Sequence, residues 1–216
     1  MDEVLELAQG CVGIIAGVEP LTAEVLDQLP DLRCISRVGV GMQNVDLAHA
    51  ERQGISVRNT PDGPTQAVAE LTVGLALALL RRIPLADRNL RAGRWQKEMG
   101  FLLRDKVVGV VGLGSIGQAA AELFFALGCT VIGSDPVPPD GGWMDRYRVE
   151  LLPLQDLLAR SDIVTLHLAH EPGSPPVIGA TELESMRPGA FLLNLARGDA
   201  LDEGALLAAL QGERIA

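Results

Sequence analysis

The chain has 216 residues, enough to bury roughly 70% of the surface its unfolded form exposes and so to build one large or two modest domains. Lys and Arg total 18 against 28 Asp and Glu, a formal charge of -10 with no long run of like charges, which argues against a nucleic-acid partner and requires any anion site to rest on locally placed donors. The longest apolar run, LTVGLALALL at 71–80, is too short for a membrane span of about 20 residues, and the acidic start lacks the basic residues of a signal peptide.

Apolar runs alternate with helical patterns along most of the chain. VGIIAGV at 12–18, RCISRVGV at 33–40 and ISVRN at 55–59 predict strands, with helices expected at 22–29 and 45–53. Thr22 followed by Glu24 marks a helix start, and Gly54 after AERQ a helix stop. The turn cluster TPDGP at 60–64 closes this first unit, so the expected domains are 1–59 and 60–216. A long helix over 65–83 is expected to break before Pro84 and to lead into a linker containing AGRW and FLLRDK. Beyond it, strands are predicted at 107–112, 130–134, 148–151, 162–167 and 190–195, and helices at 115–127, 154–160, 180–186 and 203–211. PVPPDGG at 136–142 is expected to be a loop. Continuous Val, Ile and Leu runs suit parallel strands covered on both faces, so the fold class is α/β.

Cys11, Cys34 and Cys129 are odd in number, widely spaced and set in apolar contexts. They are expected to be buried thiols of a cytoplasmic protein rather than a disulfide framework or a zinc site.

Gly112, Gly114 and Gly117 have G-x-G-x-x-G spacing, directly after a predicted strand and at the opening of a predicted helix. The first glycine turns the chain, the second lets the backbone approach a pyrophosphate, and the third lets the helix pack closely on the sheet. Ser115 and Ile116 then offer backbone N–H groups at the positive helix end. Such a pattern is weak alone, because glycine turns also join strands to helices where no nucleotide binds. Asp135 strengthens it: this acid ends the next strand, 18 residues after Gly117, where the fingerprint places a carboxylate on the adenosine ribose. The bland alternative is that Asp135 caps a turn before Pro136. A carboxylate about 4 Å from a 2′-phosphate would repel it by about 4 kcal/mol per charge pair at an effective dielectric near 20, less after screening, which favours NAD over NADP. Arg146 and Arg148 lie downstream as potential compensators.

Several segments in collinear order resemble the D-isomer-specific 2-hydroxyacid dehydrogenases, especially the phosphoglycerate dehydrogenase branch. They are RVGVGMQNVDLAHAERQGISVRNTP, AVAELTVGLALALLRR, AGRW, VVGVVGLGSIG, GSDP, DIVTLHLA and NLARGDALDEGALLAAL, which together span nearly the whole chain. The resemblance implies a Rossmann-type doubly wound parallel sheet that binds NAD, plus a partial flavodoxin-like substrate domain. It also implies hydride transfer on a small D-2-hydroxyacid or 2-oxoacid, and a homodimer built on the 65–83 helix and the segment around Trp95. The arginine of the family's N-x-x-R-G motif falls on Arg197, which would bind the substrate carboxylate and polarise the 2-oxo group. A guanidinium suits this because its planar fork pairs with a carboxylate and stays charged. Val38, Gly39, Val40 and Gly41 match the glycine turn whose N–H groups face the substrate. Gly112, Gly114, Ser115, Ile116, Gly117, Asp135, Leu168, Leu195 and Ala196 match positions that line the cofactor. His167 matches a packing position rather than a catalytic acid, while His49 and His170 are expected at the surface.

The chain also departs from the family pattern. The family's glutamate, in an L-D-V-F-x-x-E-P stretch, and its catalytic histidine, in a later P-H motif, would follow Ala216, so the chain is expected to be a fragment with incomplete acid–base machinery. VGIIAG matches the second strand of the substrate domain rather than the first. Gln43 replaces a usual aspartate, and HLAHEPGSPP replaces the usual H-x-P-L-T-x-x-T, weakening hydroxyl contacts near the nicotinamide. Ala16 and Gly17 stand where some phosphoglycerate dehydrogenases carry Arg-Ser, leaving Arg37 as a candidate for phosphate recognition. Three readings follow: an NAD-dependent dehydrogenase, a non-catalytic NAD-binding module, and an inactive fragment.

Overall fold

A computed structural model describes residues 2–171 and 173–216, apart from the side chain of Asp2. The chain divides into two compact units, Met1–Thr65 and Gln66–Ala216. Among the described residues no helix is long and apolar enough to cross a membrane.

The first unit begins with α1 (Asp2–Ala8), then alternates β1 (Gly13–Ala16), α2 (Ala23–Leu26), β2 (Cys34–Arg37), α3 (Leu47–Arg52) and β3 (Ser56–Asn59). The three strands are parallel in the order β1-β2-β3. Ala16, Val25, Leu26, Ile35, Ala50 and Ile55 pack into one core. Within β2 only Ile35 is buried, because successive side chains of a strand point to opposite faces and Cys34 and Ser36 take the other one. The thiols therefore depart from expectation. All three are free, but Cys34 is exposed and Cys11 half-buried, leaving Cys129 as the buried one.

The second unit contains α4 (Thr65–Leu80), α5 (Ile83–Arg91), β4 (Val107–Val111), α6 (Ser115–Ala126), β5 (Thr130–Ser134), α7 (Gly141–Tyr147), β6 (Glu150–Leu151), α8 (Leu154–Arg160), β7 (Ile163–Leu166), α9 (Ala180–Ser185), β8 (Phe191–Asn194) and α10 (Glu203–Gln211). Its five strands are all parallel in the order β6-β5-β4-β7-β8. The chain thus winds outward from β4 in both directions, the doubly wound arrangement of a Rossmann-like domain. Each sheet face carries its own core. Val108, Val110, Ala121 and Phe124 belong to one, and Val111, Leu157, Leu158, Leu183 and Met186 to the other. Helix α6 fits its face because Gly117, Ala120, Ala121 and Phe124 recur at helical spacing and are all buried.

Two local expectations are corrected. The helix expected over 65–83 is two helices: α4 stops at Leu80, Arg82 takes a left-handed conformation with φ 52°, and Pro84 lies in the first turn of α5. Proline is tolerated there because a first-turn N–H has no helical acceptor. The loop expected over 136–142 gives way to α7, whose N-cap Asp140 accepts the Trp143 N–H at 3.1 Å. Its aromatic face outweighs the two glycines: Tyr147 meets Phe125 edge-on at 5.8 Å, and the Trp143 indole N–H donates to Glu122 at 2.8 Å.

The last residues lie beside the free edge of β8. The Gly189 N–H donates to the Arg214 carbonyl at 3.0 Å and the Ala216 N–H to the Ala190 carbonyl at 2.9 Å, with Ile215 buried between them.

Candidate active site

Parallel register brings the ends of four strands together. Val111 pairs with Ser134 on one side and Leu166 on the other, and Leu166 pairs with Asn194. The glycine turn after β4, Asp135 after β5, Leu168 after β7 and Leu195 to Arg197 after β8 therefore all leave the sheet at its carboxyl edge. In an open parallel sheet this edge, where the winding reverses, is where ligands bind.

The turn itself separates what the fold needs from what a ligand would need. Gly112 has φ +92°, and a β-carbon there would lie 2.6 Å from the Leu168 nitrogen. On Gly117 a β-carbon would lie 1.9 Å from the Gly112 carbonyl oxygen. Both are glycine for reasons internal to the chain. Gly114 differs: its φ of -68° suits any residue, and a β-carbon would meet nothing within 4 Å. It caps α6, is exposed, and opens the space over the helix end where Ser115 and Ile116 present their N–H groups. The open space and the positive helix end fit a pyrophosphate.

Both oxygens of Asp135 accept hydrogen bonds from the chain itself. Its Oδ1 accepts the Val137 N–H at 2.7 Å, the turn-capping role, while its Oδ2 accepts the Leu113 N–H at 2.6 Å and so ties β5 to the glycine turn. A carboxylate has about four lone-pair positions, so two remain for ribose hydroxyls. Leu113 is itself buried, and a β-carbon on Gly133 would lie 2.5 Å from its Cδ1. Gln118 closes the turn by donating to the Leu113 carbonyl at 2.7 Å.

After β8 the backbone is held by Asn194, whose role the sequence reading passed over. Its Oδ1 accepts the Ala196 N–H at 3.0 Å and its Nδ2 donates to the Arg197 carbonyl at 2.7 Å. Arg197 is exposed at the N-cap of a short 3-10 turn, Gly198–Ala200, and its Nη1 donates to the Ala196 carbonyl at 2.9 Å. The signal was present in N-x-x-R: a side-chain amide three residues before the arginine can bracket the turn from both ends.

The histidines divide. His167 follows β7; its Nε2 pairs with the Thr165 hydroxyl at 2.9 Å, and burial pushes its pKa down to about 4, so it is uncharged at neutral pH. His170, expected at the surface, is 8% exposed, and its Nε2 is buried without a hydrogen-bond partner among the described residues. His49, also expected outside, is half-buried against Asp27 at 2.8 Å.

In the first unit the turn after β2 is held from β3. Gly39 has φ +127°, and a β-carbon there would collide with the Arg37 guanidinium. The Gly39 N–H, expected to face a substrate, donates instead to Thr60 Oγ1 at 2.7 Å, and Asn59 donates to the Val40 carbonyl at 2.7 Å. That leaves Val40 and Gly41 as the candidate donors. Arg37 is half-buried, its Nη1 donates to the Val38 carbonyl, and its Nε is buried without a partner among the described residues.

Residues 73–216 match the D-isomer specific 2-hydroxyacid dehydrogenase, NAD binding domain. The chain belongs to the D-isomer specific 2-hydroxyacid dehydrogenase family. It is 36% identical to D-3-phosphoglycerate dehydrogenase of Sus scrofa over 100% of its own length and 41% of that protein's. With D-3-phosphoglycerate dehydrogenase of Methanocaldococcus jannaschii the identity is 37%, over 99% of the chain and 41% of the relative. The apo-structure of D-lactate dehydrogenase from Escherichia coli superposes with a TM-score of 0.90 at 28% identity, covering 100% of this chain and 69% of that one. The chain thus spans less than half the length of these phosphoglycerate dehydrogenases. NAD is the cofactor of this dehydrogenase domain, and the glycine turn, α6 and Asp135 are the residues that fit it.

Proposed function

We propose that the protein interconverts a small D-2-hydroxyacid and its 2-oxoacid, with NAD as the hydride carrier. The single observation that carries this is the glycine turn tied to Asp135 at 2.6 Å on the same sheet edge as the Asn194-braced Arg197. Ser115 and Ile116 hold the diphosphate, and Asp135 the adenosine ribose. Leu168, Leu195 and Ala196 line the cofactor. Arg197 pairs with a substrate carboxylate and draws electron density from the 2-oxo group. In the first unit, taken by itself, Val40 and Gly41 are the candidate substrate-facing N–H groups. NAD, when bound, supplies or accepts the hydride. Arg37 is the candidate for a phosphate on the substrate, which favours a 3-phosphoglycerate-like acid.

The carboxylate of Asp135 favours NAD over NADP by charge repulsion. Leu71, Leu75 and Leu79 form an exposed stripe four residues apart on α4, and Trp95 is 91% exposed. This supports a homodimer through that face. Three unpaired thiols fit a reducing compartment, so we place the protein in the cytoplasm.

A second reading is an NAD-binding module without turnover of its own. Titrating NADH into the chain while following Trp143 and Trp95 fluorescence tests cofactor binding, and turnover of 3-phosphoglycerate or of simple 2-oxoacids by the natural polypeptide separates the two readings. An absence of saturable NADH binding would sink both.

A further inference from the structure

We infer that His170 is a further residue of the dinucleotide site, its Nε2 making a hydrogen bond to a polar atom of the bound dinucleotide; this rests on the NAD-binding reading above. Placement comes first. The His167 N–H donates to the Val111 carbonyl at 2.7 Å, and a β-carbon on Gly112 would touch the backbone of His167 and Leu168 at 2.6–2.7 Å. Two residues of chain span at most about 7 Å, so the His170 backbone lies within that reach of the contact with the glycine turn. His170 therefore follows the strand next to β4 at the ligand-binding edge of the sheet.

Its chemistry is the second argument. Buried polar groups are almost always paired, and leaving one unpaired is unfavourable enough that such an atom needs an explanation. At 8% exposure His170 is also too enclosed for bulk water to satisfy Nε2. The other orphaned nitrogens belong to side chains with a second, satisfied nitrogen. His167 pairs with Thr165, Arg37 with the Val38 carbonyl, and Arg214 with the carbonyls of Glu184 and Met186. His170 shows no such anchoring bond among the described residues. A leucine would fill an enclosed position with no unpaired atom, so an imidazole there is explained by a partner that arrives with the ligand.

The test compares the wild-type chain with His170→Leu in NADH and ADP-ribose titrations, together with thermal melts of both without ligand. Loss of one hydrogen bond in an enclosed site predicts NADH binding weakened by about 5- to 10-fold in the variant, with a melting temperature no lower than wild type, because an unpaired buried nitrogen has been removed. A parallel loss for ADP-ribose places the contact on the adenosine diphosphate part, and a loss for NADH alone places it on the nicotinamide side. Should the variant fold poorly, the His170 ring nitrogens of the wild-type protein, followed by 15N NMR, give the reading instead: Nε2 is expected to shift on NADH saturation. Unchanged affinity in a folded variant, or an unmoved Nε2 resonance at saturation, overturns the assignment of His170 while leaving the cofactor reading intact. Failure of the wild-type chain to bind NADH overturns both.

Discussion

A β-carbon on Gly117 would stand 1.9 Å from the carbonyl oxygen of Gly112, so the third glycine of the turn is fixed by the first. Nothing comparable constrains Gly114. Gly117→Ala is therefore expected to lower stability by about 1–3 kcal/mol, the range for overpacking a closed contact. Gly114→Ala should stay within about 0.5 kcal/mol of wild type while weakening NADH at least about tenfold, because its methyl occupies the space of the diphosphate. Urea unfolding and NADH titration of the two variants separate the roles. Equal loss of stability in both would mean that the turn serves the fold alone.

Asp135 ties β5 to the glycine turn with one oxygen and caps the following turn with the other. Asp135→Asn keeps the shape but leaves only one oxygen for the Leu113 and Val137 N–H groups. Stability should drop by about 1–2 kcal/mol, and the preference for NAD over NADP should narrow as the charge disappears. The ratio of the two dissociation constants in wild type and variant reads this. An unchanged ratio removes Asp135 from cofactor selection.

His167 makes the chain acid-sensitive. Its pKa is about 4 in the folded protein against an ordinary 6.5, the result of burial. Between those values the unfolded chain binds a proton that the folded chain does not, so stability rises with pH. The contribution is complete above about 6.5 and lost as pH falls toward 4, on the order of 2–3 kcal/mol over the window. In His167→Gln this part of the slope should vanish. Denaturant midpoints at pH 7, 6, 5 and about 4 for both proteins check it, and parallel slopes would assign the sensitivity to other groups.

The three thiols should react in order of exposure. Cys129 is buried, and burial together with the nearby Asp105 carboxylate pushes its pKa up to about 11, which keeps it protonated. Cys34 is exposed on the face of β2 away from the core. A thiol reagent at pH 8 should modify Cys34 first and Cys129 only on unfolding, because the thiolate is the nucleophile. Early modification of Cys129, read by peptide mass, would show that its surroundings open readily.

The alternation of apolar runs placed every strand of both units, because period and strand-length runs are local signals. They were less reliable where a turn residue had two uses. Pro84 ends a helix if preceded by one and begins a helix if preceded by a break, and the left-handed backbone at Arg82 supplies the break. Gly141 and Gly142 read as loop until Trp143 and Tyr147 found Glu122 and Phe125 on α6. His170 and Cys34 show the same limit for burial. A strand's period tells which residues share a face, but not which face another element covers.

By itself the sequence determined the parallel α/β fold, the glycine turn with its acid, and the arginine motif, because each depends on residue types at fixed short spacings. Only the tertiary structure decided which glycines of the turn the fold requires and which it leaves unconstrained, that the Gly39 N–H is already taken by Thr60, and that His170 is enclosed. Those outcomes depend on neighbours brought in from other parts of the chain, whose approach is set by packing between elements and not by any local pattern.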